Sequence, residues 1–179
     1  MFPPPRPFVP PQFGIKLATE TWECAAAARL REQVFCREQA LVERTDRDAV
    51  DAVAQTIVAV DYVMGMSHGV VGTVRIHEDA PGCWYGSRLA IDRTYRNVYG
   101  LGRGLVYRAV TTAHARGCRT FLAHVQMQNV NFFKRMAWEP LRELTLHGRP
   151  HLLMQADLQA YPPCADDATV ALVSARRAS

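Results

Sequence analysis

The sequence predicts one α/β (α+β) domain with strands and helices in the order β-α-β-β-β-α-β-α-β-β. Three observations predict it. Apolar residues recur at helical spacing over 21–38 and 101–116, and β-branched residues are enriched over 55–63, 70–77 and 120–126. The third is the stretch Trp84 to Arg116, which reads as a strand, a glycine-rich crossing and a helix. A chain of 179 residues is about one domain long, and 49% hydrophobic content is ample for a single core.

The elements follow in order. Residues 1–12 hold six of the eleven prolines, which predicts an extended, poorly packed arm. Phe13 to Thr19 is the first strand. A helix follows from Thr21, where Trp22, Ala26, Leu30 and Val34 recur every four residues, Phe35 widens the stripe, and the pattern fades near Glu38. Gln55 to Val63 and Val70 to His77 pair as a hairpin through the turn M-G-M-S-H-G, and E-D-A-P-G ends the run. The next strand is Trp84 to Ile91. The helix from about Gly100 buries Leu101, Leu105, Ala109 and Ala113 with Val106 and Val110 beside them, leaving Arg103, Arg108 and His114 on the opposite surface or its margin. Arg116-Gly117 ends it with a cation near the negative end of the dipole and a permissive cap. Thr120 to Gln126 is a strand, Q-N-V-N-F-F-K-R-M-A-W holds a short helix, and Leu141 to His147 and His151 to Leu158 are the last strands. The composition beyond Tyr161 predicts a flexible tail over 161–179, which leaves 13–160 as the folded unit.

Composition narrows the function. The net charge of +4 comes from dispersed arginines, with no basic block and no interleaved aromatics, so nucleic acid is not an expected partner. The five cysteines are scattered, without a C-x-x-C pair or the Cys/His spacing of a zinc site. This predicts no metal and a reducing, cytoplasmic setting. No segment has the length and apolarity of a signal core or a membrane span, so no membrane association is expected.

Gly100, Gly102 and Gly104 fall where the chain enters a helix, so side chains are absent where a ligand would come closest. The first amides of a helix lack internal partners and carry the positive end of its dipole, which suits a phosphate. A dinucleotide fingerprint would place its third glycine where Leu105 stands, and no lysine-serine pair follows as in a P-loop. On the glycines alone, phosphate binding and a tight packing turn both remain open.

A strand, a short arginine-containing turn and then G-L-G-R-G-L-V resembles the acetyl-CoA pyrophosphate loop of the GNAT acyltransferase superfamily. Asn97 stands at the position where that family usually has Arg or Gln, with Arg96 one residue earlier. L-R-E-Q-V-F-C-R-E-Q followed by D-R-D-A-V-D resembles ElaA-type GNAT proteins, as does H-G-R-P-H-L-L-M, and N-F-F-K-R-M-A-W resembles the family's N-F-Y-x-x-x-G-F. Over 83–162 the chain is also similar to bacterial nitrogen-starvation acetyltransferases. The resemblance spans 13–160 and implies the GNAT fold, a mixed central sheet with flanking helices.

It also implies acetyl-CoA as co-substrate, a small amine as acceptor and, since many relatives are dimers, a possible homodimer. Carried over residue by residue, the main chain of Leu89, Ala90 and Ile91 would pair with the pantetheine arm. The loop Val98, Tyr99, Gly100, Leu101, Gly102, Arg103 and Gly104 would take the pyrophosphate, and Asn131 and Phe132 would flank the arm. Glu38 and the nearby aspartates would shape the acceptor side.

Amide formation from a thioester needs an aligned amine, a polarised carbonyl and management of two protons. The family's acid, the tyrosine of N-F-Y, is replaced by Phe133, which cannot donate. His124 is the first candidate for a base because imidazole titrates near neutral pH, and Glu78 at a strand end is a second; a structural histidine is the bland alternative. Arg75 and Arg88 could pair an acidic group of the substrate, and His151 could contact the acceptor; each fits a structural role equally well. Two further readings stay open. W-Y-G-S-R-L-A-I and G-T-V-R resemble blocks of acyl-homoserine lactone synthases, and Phe133 would suit a non-catalytic CoA-sensing module.

Overall fold

The computed structural model describes residues 12–42, 45–63 and 65–164, together with the backbone of 171–174. The arm expected over 1–12 lies outside the described residues apart from Gln12, which opens the first strand. Strands β1 (Gln12–Leu17), β2 (Gln55–Val63), β3 (Met66–Ala80), β4 (Cys83–Ile91), β5 (Thr120–Gln126), β6 (Trp138–Leu146), β7 (Arg149–Ala156) and β8 (Ala171–Ser174) form one sheet. Helices α1 (Thr21–Glu32), α2 (Leu101–Ala115) and α3 (Val130–Lys134) flank it. The spatial order is β6-β7-β5-β4-β3-β2-β1-β8. Every neighbouring pair is antiparallel except β4 and β5, which the crossover through α2 makes parallel. The expected element order holds through β7. Part of the expected tail departs from it, since Ala171–Ser174 pair with Gln12–Ile15 and cover what would otherwise be an open edge.

The two faces of the sheet are covered differently. Leu101, Leu105, Val110 and Ala113 of α2, all fully buried, pack on Phe13, Ile15, Ile57 and Ile76 with Phe121 and Trp138 in the main core. On the other face, Ala27 of α1 meets Val58 and Val60, and Leu30 and Val34 meet Ala90. The α1 stripe is turned from the expected one: Trp22 is exposed, while Glu23 and Arg31 are buried. Both buried charges are partnered. Glu23 accepts the amides of Thr19 and Glu20 and pairs with Lys16 at 2.7 Å, and Arg31 joins an aspartate cluster described below.

Arg108 is buried too, although the periodicity puts it on an exposed margin. The segment after β7 crosses that side of α2, where Cys164 Sγ lies 3.1 Å from the guanidinium and Tyr161 O contacts His114 Nδ1 at 2.6 Å. β3 is longer than expected at both ends, running from a tight turn at Gly65 (φ 78°) to a second turn at Pro81-Gly82.

Candidate active site

The cleft originates in an irregularity of β4. Between Thr73↔Ala90 and Arg75↔Ser87, β3 advances two residues and β4 three, so β4 carries a bulge, and Arg88 sits there at φ 56°. Four pairs, from Cys83↔Thr120 to Gly86↔Ala123, join β4 to β5, and none follows. Beyond Gly86 the two strands part, leaving a V-shaped gap beside Leu89–Ile91. A cavity of about 510 Å³ passes along this gap. It is lined by Val106, Ala109 and Phe133 on the α2 side and by Phe35, Gln39 and Leu41 on the α1 side.

At the far end of β4 the chain enters α2 through Gly100, held at φ 85°, a left-handed conformation that glycine adopts without strain. Among the described residues the amides of Gly100, Gly102 and Arg103 have no main-chain acceptor. Three amides of the expected cradle are already used: Val98 N–H donates to Tyr95 O at 3.0 Å, Leu101 N–H to Val98 O at 3.4 Å and Gly104 N–H to Gly100 O at 2.8 Å. The cradle is therefore narrower than 98–104. A Cβ on Gly102 would lie 3.2 Å from Ile91 Cδ1 and 3.6 Å from Phe132 Cζ, which brings loop, arm strand and short helix together at one point. Unpaired N–H groups at a dipole's positive end, opening beside a splayed strand, fit the diphosphate and pantetheine of CoA. Asn131 is exposed on α3, and Phe132 packs edge-on against Phe133 at 5.3 Å. Arg103 and Tyr99 are exposed at the mouth of the loop.

The opposite side of the cleft is built from side chains. Cross-strand register puts His77 (β3), Tyr85 (β4), His124 (β5) and His151 (β7) on the α1 face, and all four line the cavity. His77 stacks on Tyr85 with ring centroids 5.9 Å apart, and Tyr85 lies 5.6 Å from His124. Desolvation, with Arg75 nearby, lowers the His77 pKa. Desolvation also lowers the His124 pKa, with added repulsion from His151 and Arg142, and burial raises that of Tyr85. At neutral pH His77, Tyr85 and His124 are therefore uncharged. His151 Nδ1–H donates to the Arg149 carbonyl at 2.9 Å, which fixes the orientation of the ring.

An ion-pair cluster forms the roof. Arg31 pairs with Asp46 and Asp51 at 2.7 Å each; Arg75 pairs with Asp48 at 2.6 Å and Asp51 at 3.0 Å; Arg88 pairs with Asp46 and Asp48 at 3.2 Å. Hydrogen bonding from Arg75 outweighs burial and holds the Asp48 carboxyl below its usual range. For Asp51 burial is the largest influence and opposes ionisation, but hydrogen bonds from Arg31, the Asp48 amide and Arg75 together hold it well below the usual range. After α1 the helix widens into a π-helical turn, Gln33–Glu38, which places Phe35 under the Arg88 guanidinium at 5.7 Å.

Several expected roles change in this setting. Arg75 and Arg88 line the cavity with their charges balanced by aspartates: the Arg75 guanidinium is held by Asp48, Asp51 and Ser87, and Arg88 meets Asp46 and Asp48 through Nε and Nη2. Glu38 lies outside the lining and pairs with Arg96 at 2.5 Å, while Arg96 Nε donates to Ile91 O; the pair ties the end of the π-helical turn to the segment that leads from β4 into α2. Glu78 is also outside the lining. Its Oε1 accepts the Gly82 amide at 2.7 Å and fastens the β3–β4 turn, because β3 extends past it. Ala90 turns its side chain into the α1 core and has only its main chain to offer. His77 and Tyr85 were not singled out by sequence reasoning, although their alternation with His124 across three strands carries the signal once register is known.

A family model for the acetyltransferase (GNAT) family matches residues 18–138. The chain belongs to this family. The GNAT fold is seen in solved structures as well. Escherichia coli ElaA aligns with a TM-score of 0.67 at 19% identity, over 81% of this chain and 98% of that one. An acyl-CoA N-acyltransferase from Pseudomonas aeruginosa gives 0.65 at 20%, over 81% and 99%. A Lactobacillus plantarum protein of the N-acetyltransferase class gives 0.70 at 21%, over 80% and 97%. A search of curated proteins finds no match in sequence. The protein is thus an acyltransferase of the GNAT family, whose members use acetyl-CoA or acyl-CoA. Among the described residues no helix is long and apolar enough to cross a membrane.

Proposed function

We propose that this GNAT protein is an N-acetyltransferase that moves an acetyl group from acetyl-CoA to a primary amine of a small metabolite, by direct attack within a ternary complex. The observation that carries the reading is the amide set of Gly100, Gly102 and Arg103, without main-chain acceptors among the described residues, with Gly102 beside Ile91 and Phe132 on the side where β4 has parted from β5. Those amides hold the diphosphate, the main chain of Leu89–Ile91 pairs with the pantetheine arm, and Phe132 closes over Gly102. Acetyl-CoA brings the activated acyl group. The chain's own residues orient the amine and handle its proton.

His124 is the group we assign as base. Its lowered pKa keeps it neutral at pH 7, and it accepts the amine's proton directly or through water. Phe133 is buried beside Trp138 and has no proton to give, so water protonates the departing thiolate. On the ElaA-type motifs and the nitrogen-starvation resemblance over 83–162 we place the activity in the ElaA-like, nitrogen-starvation branch, and on the scattered cysteines in the bacterial cytoplasm. Phe133 supports one other reading, a module that binds CoA without turnover. Incubation with acetyl-CoA and a pool of cell metabolites, with mass spectrometry of acetylated products, tests both. The first reading expects an N-acetylated amine and CoA release; tight CoA binding with no product would favour the second.

A further inference from the structure

The acceptor half of the cleft carries a charge pattern and a ring pattern that narrow the class of amine. Arg31, Arg75 and Arg88 face Asp46, Asp48 and Asp51, three charges of each sign, so the cluster offers an incoming ligand no net cation. The charged residues of the lining, histidines aside, are Arg75, Arg88 and Asp79, and among the described residues Asp79 alone of these has no ion-pair partner. It sits exposed at the rim, where it attracts an ammonium group and repels a carboxylate. Two nearby cations without an ion-pair partner among the described residues stand outside the lining and are exposed: Arg142 on β6, which acts on His124 and Tyr85 from there, and Arg149 on β7, whose guanidinium is held by the Gln39 carbonyl at 2.7 Å.

The remaining surface is ring-rich. His77, Tyr85 and His124 stand side by side across three strands, and Phe35, His147 and His151 also line the cavity. Aromatic rings prefer edge-to-face or offset contact with such neighbours, and a row of imidazoles and a phenol offers both ring contacts and neutral hydrogen-bonding atoms. An aliphatic amine would leave those polar ring atoms unpartnered. A carboxylated one would meet lining arginines whose charge is already balanced by aspartates, with Asp79 unopposed at the rim.

From these observations we infer that the acceptor is an amine carried on an aromatic or heteroaromatic framework with no acidic group. The inference rests on the acetyltransferase reading for its chemistry, but its selectivity is readable by binding alone. Tryptamine, tryptophan and n-hexylamine are compared for CoA release and for calorimetric binding to the CoA-loaded protein. The expected result is that tryptamine exceeds each of the others by about tenfold in kcat/KM and in affinity, the scale of one ring contact or one unmatched charge.

Equal use of tryptophan, through Arg142, overturns the inference; so does equal use of hexylamine, or no binding of tryptamine. Selective binding of tryptamine without any acetylation upholds the inference and removes the acetyltransferase reading. Tyr85→Leu and Tyr85→Phe supply a second check. The tryptamine-to-hexylamine affinity ratio falls several-fold in the first and is kept in the second, whereas a merely structural role for Tyr85 would leave the ratio unchanged in both.

Discussion

The two halves of the cleft are made of different materials. The cofactor half is main chain: a bulge at Arg88, a pair of strands that separate after Gly86, and amides exposed by Gly100 and Gly102. The acceptor half is side chain: imidazoles and a phenol on four strands under a roof of arginines and aspartates. A cradle of amides recognises what all diphosphate carriers share, so its form is set by backbone geometry. A wall of side chains can change its ligand by substitution while the backbone stays put. The joint between them is Arg88, whose backbone makes the bulge and whose guanidinium belongs to the roof.

Breaking the roof has the largest expected effect. Asp46→Ala removes one of the two carboxylates that hold buried Arg31 and one of the two that hold Arg88, at a cost of about 3 kcal/mol, seen as a thermal midpoint lower by roughly 10 °C. Gly102→Glu strikes the other half alone. It places an anion in the cradle and lowers CoA affinity by about a hundredfold or more, yet the midpoint moves by only a few degrees because the crowded atom is the mobile end of Ile91. His124→Ala lowers kcat by about a hundredfold with little change in the KM for acetyl-CoA. In the parent, the base form of His124 persists until pH falls through its lowered pKa, so kcat holds through neutral pH and declines only on the acid side of the ordinary imidazole range. That decline disappears in the variant.

Acid weakens the roof more gently. Asp48 and Asp51 have folded pKa values below their unfolded ones, so the stability they contribute is complete above the unfolded value of about 4 and is lost as pH falls through the folded values. Thermal midpoints between pH 6 and pH 2 read this loss, and Asp48→Asn flattens part of it. The smallest effect belongs to Phe133→Tyr, which restores a phenol beside the gap and raises kcat by at most about tenfold.

The strand-to-helix crossing at Gly100 was legible in the sequence, since glycines there report backbone geometry directly; the internal use of the Val98, Leu101 and Gly104 amides was not. β2 and β5 begin and end at the expected residues because β-branched runs and turn residues bound them. The acceptor half was legible only in part. His124 and His151 stood out singly, but their conjunction with His77 and Tyr85 depends on strand register, which sequence periodicity does not give. The ion-pair partners of Arg75, Arg88 and Glu38 were hidden, because a charged residue looks available until its partner is known. Their partners lie on distant segments: Asp48 is 27 positions from Arg75, and Arg96 is 58 from Glu38. The burial of Arg31 and Arg108 has the same origin in contacts with remote parts of the chain.

The most direct test of the central claim compares CoA with pantetheine in calorimetric titrations of the unaltered protein. If the amides of Gly100, Gly102 and Arg103 hold the diphosphate, removing it weakens binding by about a hundredfold or more. Equal affinities for the two ligands would contradict that account of the cleft.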